Sequence, residues 1–477
     1  MIRTRFAPSP TGYMHIGNLR TALYGYLVAK NDENGKFILR IEDTDQAREV
    51  EGATDVIFST LKEVGLIHDE GPDNGGEYGP YVQSQRLPIY KEYAEKLVEL
   101  GGAHYCFCTE HDIEEKRKLA EEQGLAFKYE DPCKCMKLED AKERIKNGET
   151  YVVRQTINPR GKTVFRDEVY GKIEVENAIL DESVLLKSDG FPTYNFANVV
   201  DDHLMEITHV IRGNEYISST PKYNLIYQAF GWELPKYLHL PPVMKDEHQK
   251  LSKRNGDASF QDLVAKGYLE EAIINYLALL GWSPGSEQEI FSLEELTKIF
   301  SIERINKSSA IFDIDKLKWM NGMYIRNLSI DEFHNKAKKY YNLKNSFDEK
   351  TISKVIQQRT EILSDIPEMI DFVDELPEYS TDLYIHKKMK TTLEMSKDVL
   401  EKIKIVIENI SDWTEENIHD QLMKLPEQEG LKTGQVLWPL RTAISGKAFT
   451  PGGAVEWSYI LGKEETLRRI EVGINKL

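Results

Sequence analysis

His15-Ile16-Gly17-Asn18 and Lys250-Leu251-Ser252-Lys253-Arg254 stand on either side of mid-chain, and each has the makings of a segment that grips a nucleoside triphosphate. The first lies where a strand gives way to a helix. Backbone N–H groups and the helix dipole favour an anion there, and Gly17 lets a ligand approach the backbone closely. A histidine so placed can donate a hydrogen bond to a phosphate as charge develops on it. Pro8-Ser9-Pro10-Thr11-Gly12, just upstream, adds a rigid turn with hydroxyls. The second segment offers Lys250, Ser252, Lys253 and Arg254, donors suited to the β- and γ-phosphates as pyrophosphate leaves. Each such transition-state contact is worth ~3 kcal/mol. Alone, His-x-Gly is usually incidental and a short basic run is usually a solvated surface. Together and in this order, they point to adenylyl transfer with the phosphates clamped from two sides.

A third constellation is made of cysteine. The chain has four, and all fall in two close pairs, Cys106-Phe107-Cys108 and Cys133-Lys134-Cys135. In a reducing compartment four paired thiolates suit a tetrahedral structural zinc rather than disulfides. The plainer reading is four small core residues. The absence of cysteine elsewhere favours zinc, although one residue inside each pair is tighter than the common Cys-x-x-Cys knuckle. The charged, helical-looking segment Glu110–Glu122 can loop out while the pairs converge.

These groups must be positioned by folded elements. Ile2–Phe6 reads as a strand, broken by Pro8, Pro10 and Gly12. A helix follows from near Asn18, a good N-cap, with Leu19, Ala22, Leu23, Tyr26 and Leu27 on its apolar face. Phe37–Ile41 resumes as a strand. This βαβ unit predicts a parallel sheet with its ligand at the carboxyl ends of the strands. A second β-rich stretch holds Val184–Lys187 and Val210-Ile211-Arg212, with Gly190–Tyr194, Asn198 and the acidic pair Asp201-Asp202 between them. The cysteine segment lies between the two stretches and reads as an insertion into a split nucleotide-binding domain. Beyond about Asn321 the periodicity is helical. A helix is expected over Thr351–Ile366, stopped by Pro367, with Arg359 on its otherwise apolar face; a packed stem with a solvated head is the plain reading of that arginine.

At 477 residues the chain should form two to four domains, and 40% hydrophobic with 29% charged residues suits packed cores. A net charge of −18 weighs against a general nucleic-acid coat, so any polyanionic partner must meet a local basic surface. The basic N-terminus has no apolar stretch behind it, and Ala272–Trp282 is interrupted by Asn275 and Gly281 and too short to span a bilayer. A cytoplasmic, membrane-free monomer is expected.

Phe6-Ala7-Pro8-Ser9-Pro10-Thr11-Gly12 followed by His15–Asn18 resembles the opening of class I aminoacyl-tRNA synthetases of the glutamyl/glutaminyl branch, and Lys250–Arg254 resembles their second signature. Arg40–Asp45, Asp189–Tyr194, Ala197–His203, Val210–Glu215 and Lys318–Gly322 are similar to further segments of that family, in order along the whole chain. The resemblance is closest to its bacterial glutamyl members. It implies an α/β split Rossmann-like catalytic domain (1–80 and 193–245) and an inserted zinc-bearing α+β domain for the tRNA acceptor end (81–192). A stem-contact region carrying the Lys250–Arg254 loop (246–323) and an all-α anticodon-binding region (324–477) would follow. The helical tail favours the glutamyl side, since glutaminyl enzymes use β-barrels there.

By the same resemblance, ATP with Mg²⁺ would meet His15, Gly17, Asn18, Lys250, Ser252, Lys253 and Arg254. L-Glutamate would meet Arg5, Ala7, Ser9, Glu42, Tyr194, Asn198, Arg212 and Glu215. Cys106, Cys108, Cys133 and Cys135 would hold Zn²⁺, and Arg359 would reach the tRNA(Glu) anticodon. For Arg5 and Arg212 an ordinary ion pair is the competing reading. Whether tRNA(Gln) is also charged stays open, with Arg359 leaning toward strict discrimination. Asn18 replaces the second histidine usual in the first signature, and Leu251 and Arg254 replace Met and Ser in the second; the donors remain. A truncated base-modifying relative would lack the helical tail, a small-molecule nucleotidyl transferase would need neither tail nor zinc segment, and a silent tRNA-binding paralogue would not need His15, Lys250 and Lys253.

Overall fold

In the computed structural model, which describes residues 1–45, 50–124, 131–251 and 259–477, the N-terminal βαβ unit forms as expected. Strands β1 (Arg3–Phe6) and β2 (Lys36–Leu39) run parallel, with Arg5 opposite Ile38, and the helix Ile16–Lys30 connects them. This helix is capped three residues earlier than its composition implies. His15 is the N-cap, so Asn18 stands in the first turn and not at the cap. Nor is its burial one-sided: Arg20, Tyr24 and Val28 are buried as well as Leu19, Leu23 and Leu27, whereas Tyr26 is only half-buried. The reason lies across the helix. Arg20 donates to the carbonyl of Leu280 at 3.0 Å and Tyr24 to that of Ala278 at 3.1 Å, so a second face is covered from behind.

The next strands build two sheets. β3 (Ala103–Cys106), β4 (Val152–Gln155) and β7 (Val184–Leu186) pair antiparallel. Val184–Leu186 therefore belongs with the inserted segment and not with the second nucleotide-binding half. The four-stranded sheet has the order β6-β5-β9-β8, with β5 (Lys162–Asp167) and β6 (Gly171–Glu176) as a hairpin. β8 (His209–Gly213) and β9 (Lys236–Leu240) run parallel, Arg212 lying opposite His239. β5 joins β9 at a single parallel position, Asp167 opposite Tyr237. β1 meets the start of β8 through Thr208, whose N–H bonds the Arg3 carbonyl at 2.9 Å and whose hydroxyl takes the Arg3 N–H at 2.8 Å. Two parallel pairs, β1–β2 and β8–β9, thus share one platform. A last small pair, β10 (Val243–Met244) with β11 (Ala310–Ile311), follows β9.

The chain divides into two compact units, Met1–Leu263 with Ile273–Asp313, and Val264–Ala272 with Ile314–Leu477. The second is helical. Leu393–Glu408 packs on Thr433–Ser445 and Lys463–Lys476 around a core that includes Ile403, Ile407, Leu440 and Trp457. Arg469 is buried there and bonds the carbonyls of Phe372, Ile444 and Val373 at 2.7–3.0 Å, satisfying carbonyls in the last turn of one helix and just beyond the end of another. Asn321, from the Lys318–Gly322 segment, ties Leu269 N–H to Glu361 O.

The helix expected over Thr351–Ile366 is interrupted. Glu349–Ile356 is helical, Gln357–Arg359 is a 3-10 turn, and Pro367 sits in the first turn of Ile366–Ile370. Gln357 explains the break: its amide satisfies the carbonyls of Ile325 and Leu328, and Thr360 turns back onto the Ile356 carbonyl. Proline needs no N–H partner at a helix start, so Pro367 begins a helix here instead of ending one.

Candidate active site

A cavity of about 340 Å³ opens at the carboxyl ends of β1, β8 and β9, bounded by the N-terminal turn of the Ile16–Lys30 helix. Nine of the residues expected to bind ligand line it: Arg5, Ala7, Ser9, Gly17, Asn18, Glu42, Tyr194, Arg212 and Glu215. Thr11 of the upstream turn lines it as well, and so do Arg20, Thr21, Tyr216 and Pro241, which the motifs do not single out. They become visible only once strand ends and helix start are juxtaposed.

His15 and Asn198 stand behind the lining. His15 Nδ1 accepts the Gly17 N–H at 3.0 Å, so the neutral ring carries its proton on Nε2. This contact also accounts for the His-x-Gly spacing. A Cβ on Gly17 would lie 3.1 Å from His15 Nδ1 and 3.5 Å from Cε1. Asn198 is buried, and its amide bonds the Tyr194 carbonyl, bracing the helix that presents Tyr194 to the cavity.

Lys250 is exposed and does not line the cavity; it bridges antiparallel to Met244 at the foot of its loop. Ser252, Lys253 and Arg254 lie outside the described residues. The ends of that loop are nevertheless fixed beside the first motif. Leu251 N–H bonds the carbonyl of Val243, itself a lining residue, at 3.1 Å. Downstream, Ser259 bridges to His15, Phe260 N–H bonds the Met14 carbonyl at 2.9 Å, and the Gln261 side chain accepts the Met14 N–H at 3.1 Å. Tertiary hydrogen bonds thus hold the described ends of that loop beside the segment that carries His15.

Under the cavity runs a buried ionic network. Arg5 Nε donates to Asp202 at 3.0 Å, and Arg40 reaches Asp202 at 2.9 Å, Glu42 at 3.2 Å and Asp201 at 3.6 Å. Asp201 also takes Arg86, Gln83 and Tyr90 at 2.7–2.9 Å. Burial alone would raise the Asp202 carboxyl, but Arg5 and Arg40 hold it below its usual range. Burial pushes Glu42 up, against the pull of Arg40 and Arg5. Arg5 therefore has the structural ion pair that the plain reading required, and it lines the cavity as well. Arg212 differs. It is buried, among the described residues no carboxylate lies within 4.0 Å of it, and the rings of Tyr216, Tyr223 and Tyr237 surround its guanidinium at 4.9–5.4 Å. A buried cation without an ion-paired anion is costly, and a ligand carboxylate would relieve it.

Residues 1–319 match the family described as tRNA synthetases class I (E and Q), catalytic domain, and residues 332–474 match an anticodon binding domain. A glutamate–tRNA ligase of Clostridium tetani is 61% identical over 478 residues, covering 100% of this chain and 98% of that protein. One of Clostridium acetobutylicum is 59% identical over 479 residues, covering 100% and 99%. The chain belongs to the glutamate–tRNA ligases. A crystal structure of a glutamate tRNA ligase from Elizabethkingia meningosepticum, in complex with its amino acid, superposes with a TM-score of 0.89 at 35% identity over 100% of this chain and 99% of that one. The class I catalytic fold with a helical anticodon-binding region is accordingly that of the synthetase family. No described helix is long and apolar enough to cross a membrane.

The cysteine pairs do converge, with one difference. Cys106, Cys108 and Cys133 gather with Asp131, their ligand atoms all within 4.8 Å of one another, whereas Cys135 is exposed and outside the group. Asp131 caps the 3-10 turn Pro132–Cys135 by accepting the Cys133 N–H at 2.8 Å, which carries its carboxylate to the thiols. Burial opposes its ionisation, but bonds from His104, Cys106 and the Cys133 N–H outweigh that and hold the carboxyl well below the usual range. The donors fit a metal: Cys108 and Cys133 sulfurs are 4.0 Å apart, close to the ~3.8 Å edge of a tetrahedron with ~2.3 Å zinc–sulfur bonds.

In the helical unit, Arg359 lines an open cleft with Lys318, Gln358, Arg441 and Lys447. It is exposed at the end of its 3-10 turn and not stacked on an apolar face, because the helix ends before reaching it. Lys318 pairs with Asp365 at 3.1 Å and Lys447 with Asp371 at 2.6 Å, whereas Arg359 has no ion pair among the described residues. Phe449, on the same cleft, is 83% exposed.

Proposed function

We propose that the cavity takes L-glutamate between Arg5 and Arg212, with Glu42 receiving the ammonium group and Ser9, Tyr194 and Glu215 completing the polar contacts. The observation that carries this reading is Arg212: a buried guanidinium, ringed by tyrosines, with no ion-paired carboxylate of its own. A fixed cation there favours glutamate over neutral glutamine, which would leave the desolvated charge unpaired. ATP lies along the helix start at Gly17 and Asn18, its phosphates reached by His15 Nε2 and by Lys250, Ser252, Lys253 and Arg254. A glutamate α-carboxylate oxygen attacks the α-phosphorus, the bond to the bridging oxygen breaks, and pyrophosphate leaves. A terminal ribose hydroxyl of tRNA(Glu) then attacks the acyl carbon, the acyl–phosphate oxygen bond breaks, and AMP departs with the hydroxyl proton passing to its phosphate. Neither step needs a covalent enzyme nucleophile; positioning and electrostatic stabilisation carry the rate. Mg²⁺ accompanies ATP, held mainly by phosphates and water.

The insertion holds a structural zinc on Cys106, Cys108 and Cys133, with the fourth ligand drawn from Cys135 or Asp131. Metal retention measured in C135S and D131N assigns it: the variant that loses zinc identifies the ligand. The Arg359 cleft receives the anticodon, where an exposed aromatic can stack a base and an arginine can meet a base edge or phosphate. The protein works as a cytoplasmic monomer specific for tRNA(Glu). A charging assay with purified tRNA(Glu) and tRNA(Gln), run side by side with wild type and His15→Ala, tests the whole. Glutamylation of tRNA(Glu) alone, lost in the variant, is expected. Substantial charging of tRNA(Gln) overturns strict discrimination, and undiminished activity in His15→Ala overturns the role of His15.

A further inference from the structure

Arg212 and His239 are register partners on the parallel strands β8 and β9, and their side chains meet: Arg212 Nε donates to His239 Nε2 at 3.0 Å. A guanidinium can only donate, so Nε2 must accept and the neutral ring carries its proton on Nδ1. That proton goes to Asp167, whose Oδ2 lies 2.7 Å from Nδ1 and also takes the His239 backbone N–H at 3.1 Å. Asp167 Oδ1 accepts the N–H groups of Val169 and Tyr170 at 2.9 and 2.7 Å. Thr220 Oγ1 accepts from Arg212 Nη2 at 2.7 Å and lies 3.2 Å from His239 Nε2. Asp167 and His239 are wholly buried. The order is anion, neutral ring, cation, running from the tip of the β5–β6 hairpin to the cavity wall.

This arrangement solves a particular problem. A carboxylate placed directly on Arg212 would occupy its fork and reduce its pull on a ligand. With no anion at all, the buried cation would be uncompensated. Setting the anion one imidazole away keeps Arg212 oriented while the residue still lines the cavity with no carboxylate paired to it. We infer that Asp167 and His239 are positioning residues that set the pocket's selectivity for an acidic side chain. They hold Arg212 through the Nδ1–H tautomer of His239. The inference rests on the reading that Arg212 meets a glutamate carboxylate.

Asp167→Asn tests this role, and because its NH₂ also replaces the acceptor of the His239 backbone N–H, the melting transition is measured beside the kinetics. The amide oxygen keeps the Val169 and Tyr170 contacts, while the NH₂ group faces His239 and drives its proton to Nε2, against Arg212 Nε–H; an amide there imposes the wrong tautomer. In tRNA(Glu) aminoacylation, the KM for glutamate is expected to rise about 10- to 100-fold, the cost typical of removing a partner behind a ligand-binding group, while the KM for ATP stays within about twofold. His239→Phe, which keeps ring packing but no acceptor, should do the same. His239→Gln, which retains an acceptor oxygen, should recover part of the loss. Arg212→Ala is the reference. If it raises the glutamate KM and neither Asp167→Asn nor His239→Phe does, the relay is overturned and the reading of Arg212 survives. If Arg212→Ala leaves that KM unchanged, the site reading falls and the relay with it. Parallel rises in the KM for glutamate and ATP would mark a merely structural role and overturn the proposal.

Discussion

Gly17 shows how one missing side chain organises a site. Its N–H caps onto His15 Nδ1, and the space where a Cβ would stand is already within 3.1 Å of that nitrogen. The imidazole is therefore fixed in rotation and tautomer, with Nε2–H as its donor. Gly17→Ala must push the ring away, and if His15 meets the phosphates as proposed, a displacement of about 1 Å can cost about 100-fold in rate. Aminoacylation kinetics should show kcat reduced about 10- to 100-fold with little change in the KM for glutamate. An unchanged kcat would separate His15 from the chemistry. Glu42 acts at the same scale. Because burial raises its carboxyl, it protonates at a higher pH than an ordinary glutamate, and the attraction proposed for the substrate ammonium would weaken as the medium is acidified. The KM for glutamate should climb on the acid side in wild type, and a Glu42→Gln variant, already high, should lose that slope.

Helices and strands decide which residues can reach one another. The βαβ unit places Arg5 and Gly17 at the same sheet edge, and β8 beside β9 brings Arg212 to His239. In the helical unit, Gly267 shows how tightly such elements close. Its φ is +89°, Leu363 N–H bonds its carbonyl, and a Cβ would come within 2.8 Å of the Ser364 backbone nitrogen. Gly267→Ala combines backbone strain of about 1–2 kcal/mol with contact against an unyielding backbone, and should lower the melting transition by roughly 5 °C. Calorimetry would check this, and a transition unshifted within a degree would show that the turn can relax.

For the whole molecule the governing quantity is charge. At −18 the chain repels a polyanion on average, so tRNA must be held by confined basic groups; in the Arg359 cleft Arg359 and Arg441 are the candidates, since the lining also carries Glu361, Asp365, Glu368 and Glu456 and Lys318 is paired with Asp365. Binding through four or five phosphates should lose about 100-fold in affinity between 50 and 200 mM salt. Filter binding or fluorescence titration at several salt concentrations would measure the slope. A flat response would mean that neutral contacts, not released counterions, dominate the interface.

Much of this protein is legible along the chain because local patterns carry it. The apolar spacing after Gly17, the breakers before it and the paired cysteines are short-range features, and ordered motif matches across the whole length identify the branch. What the tertiary structure alone decided concerns partners distant in sequence. Periodicity could not say that Val184–Leu186 pairs with Val152–Gln155, because a strand's pattern does not name its neighbour. It could not find that His15 rather than Asn18 caps the helix, since both residue types can accept an N–H and backbone geometry chooses between them. Arg359 looked like a member of an apolar face until Gln357 and Thr360 ended the helix early. Asp131 entered the thiol cluster through a cap bond, and Asp167 reached Arg212 across His239 by joining β9 at a single position. Sequence specifies which groups are available; long-range pairing decides which are close enough for their charges and protons to act on one another.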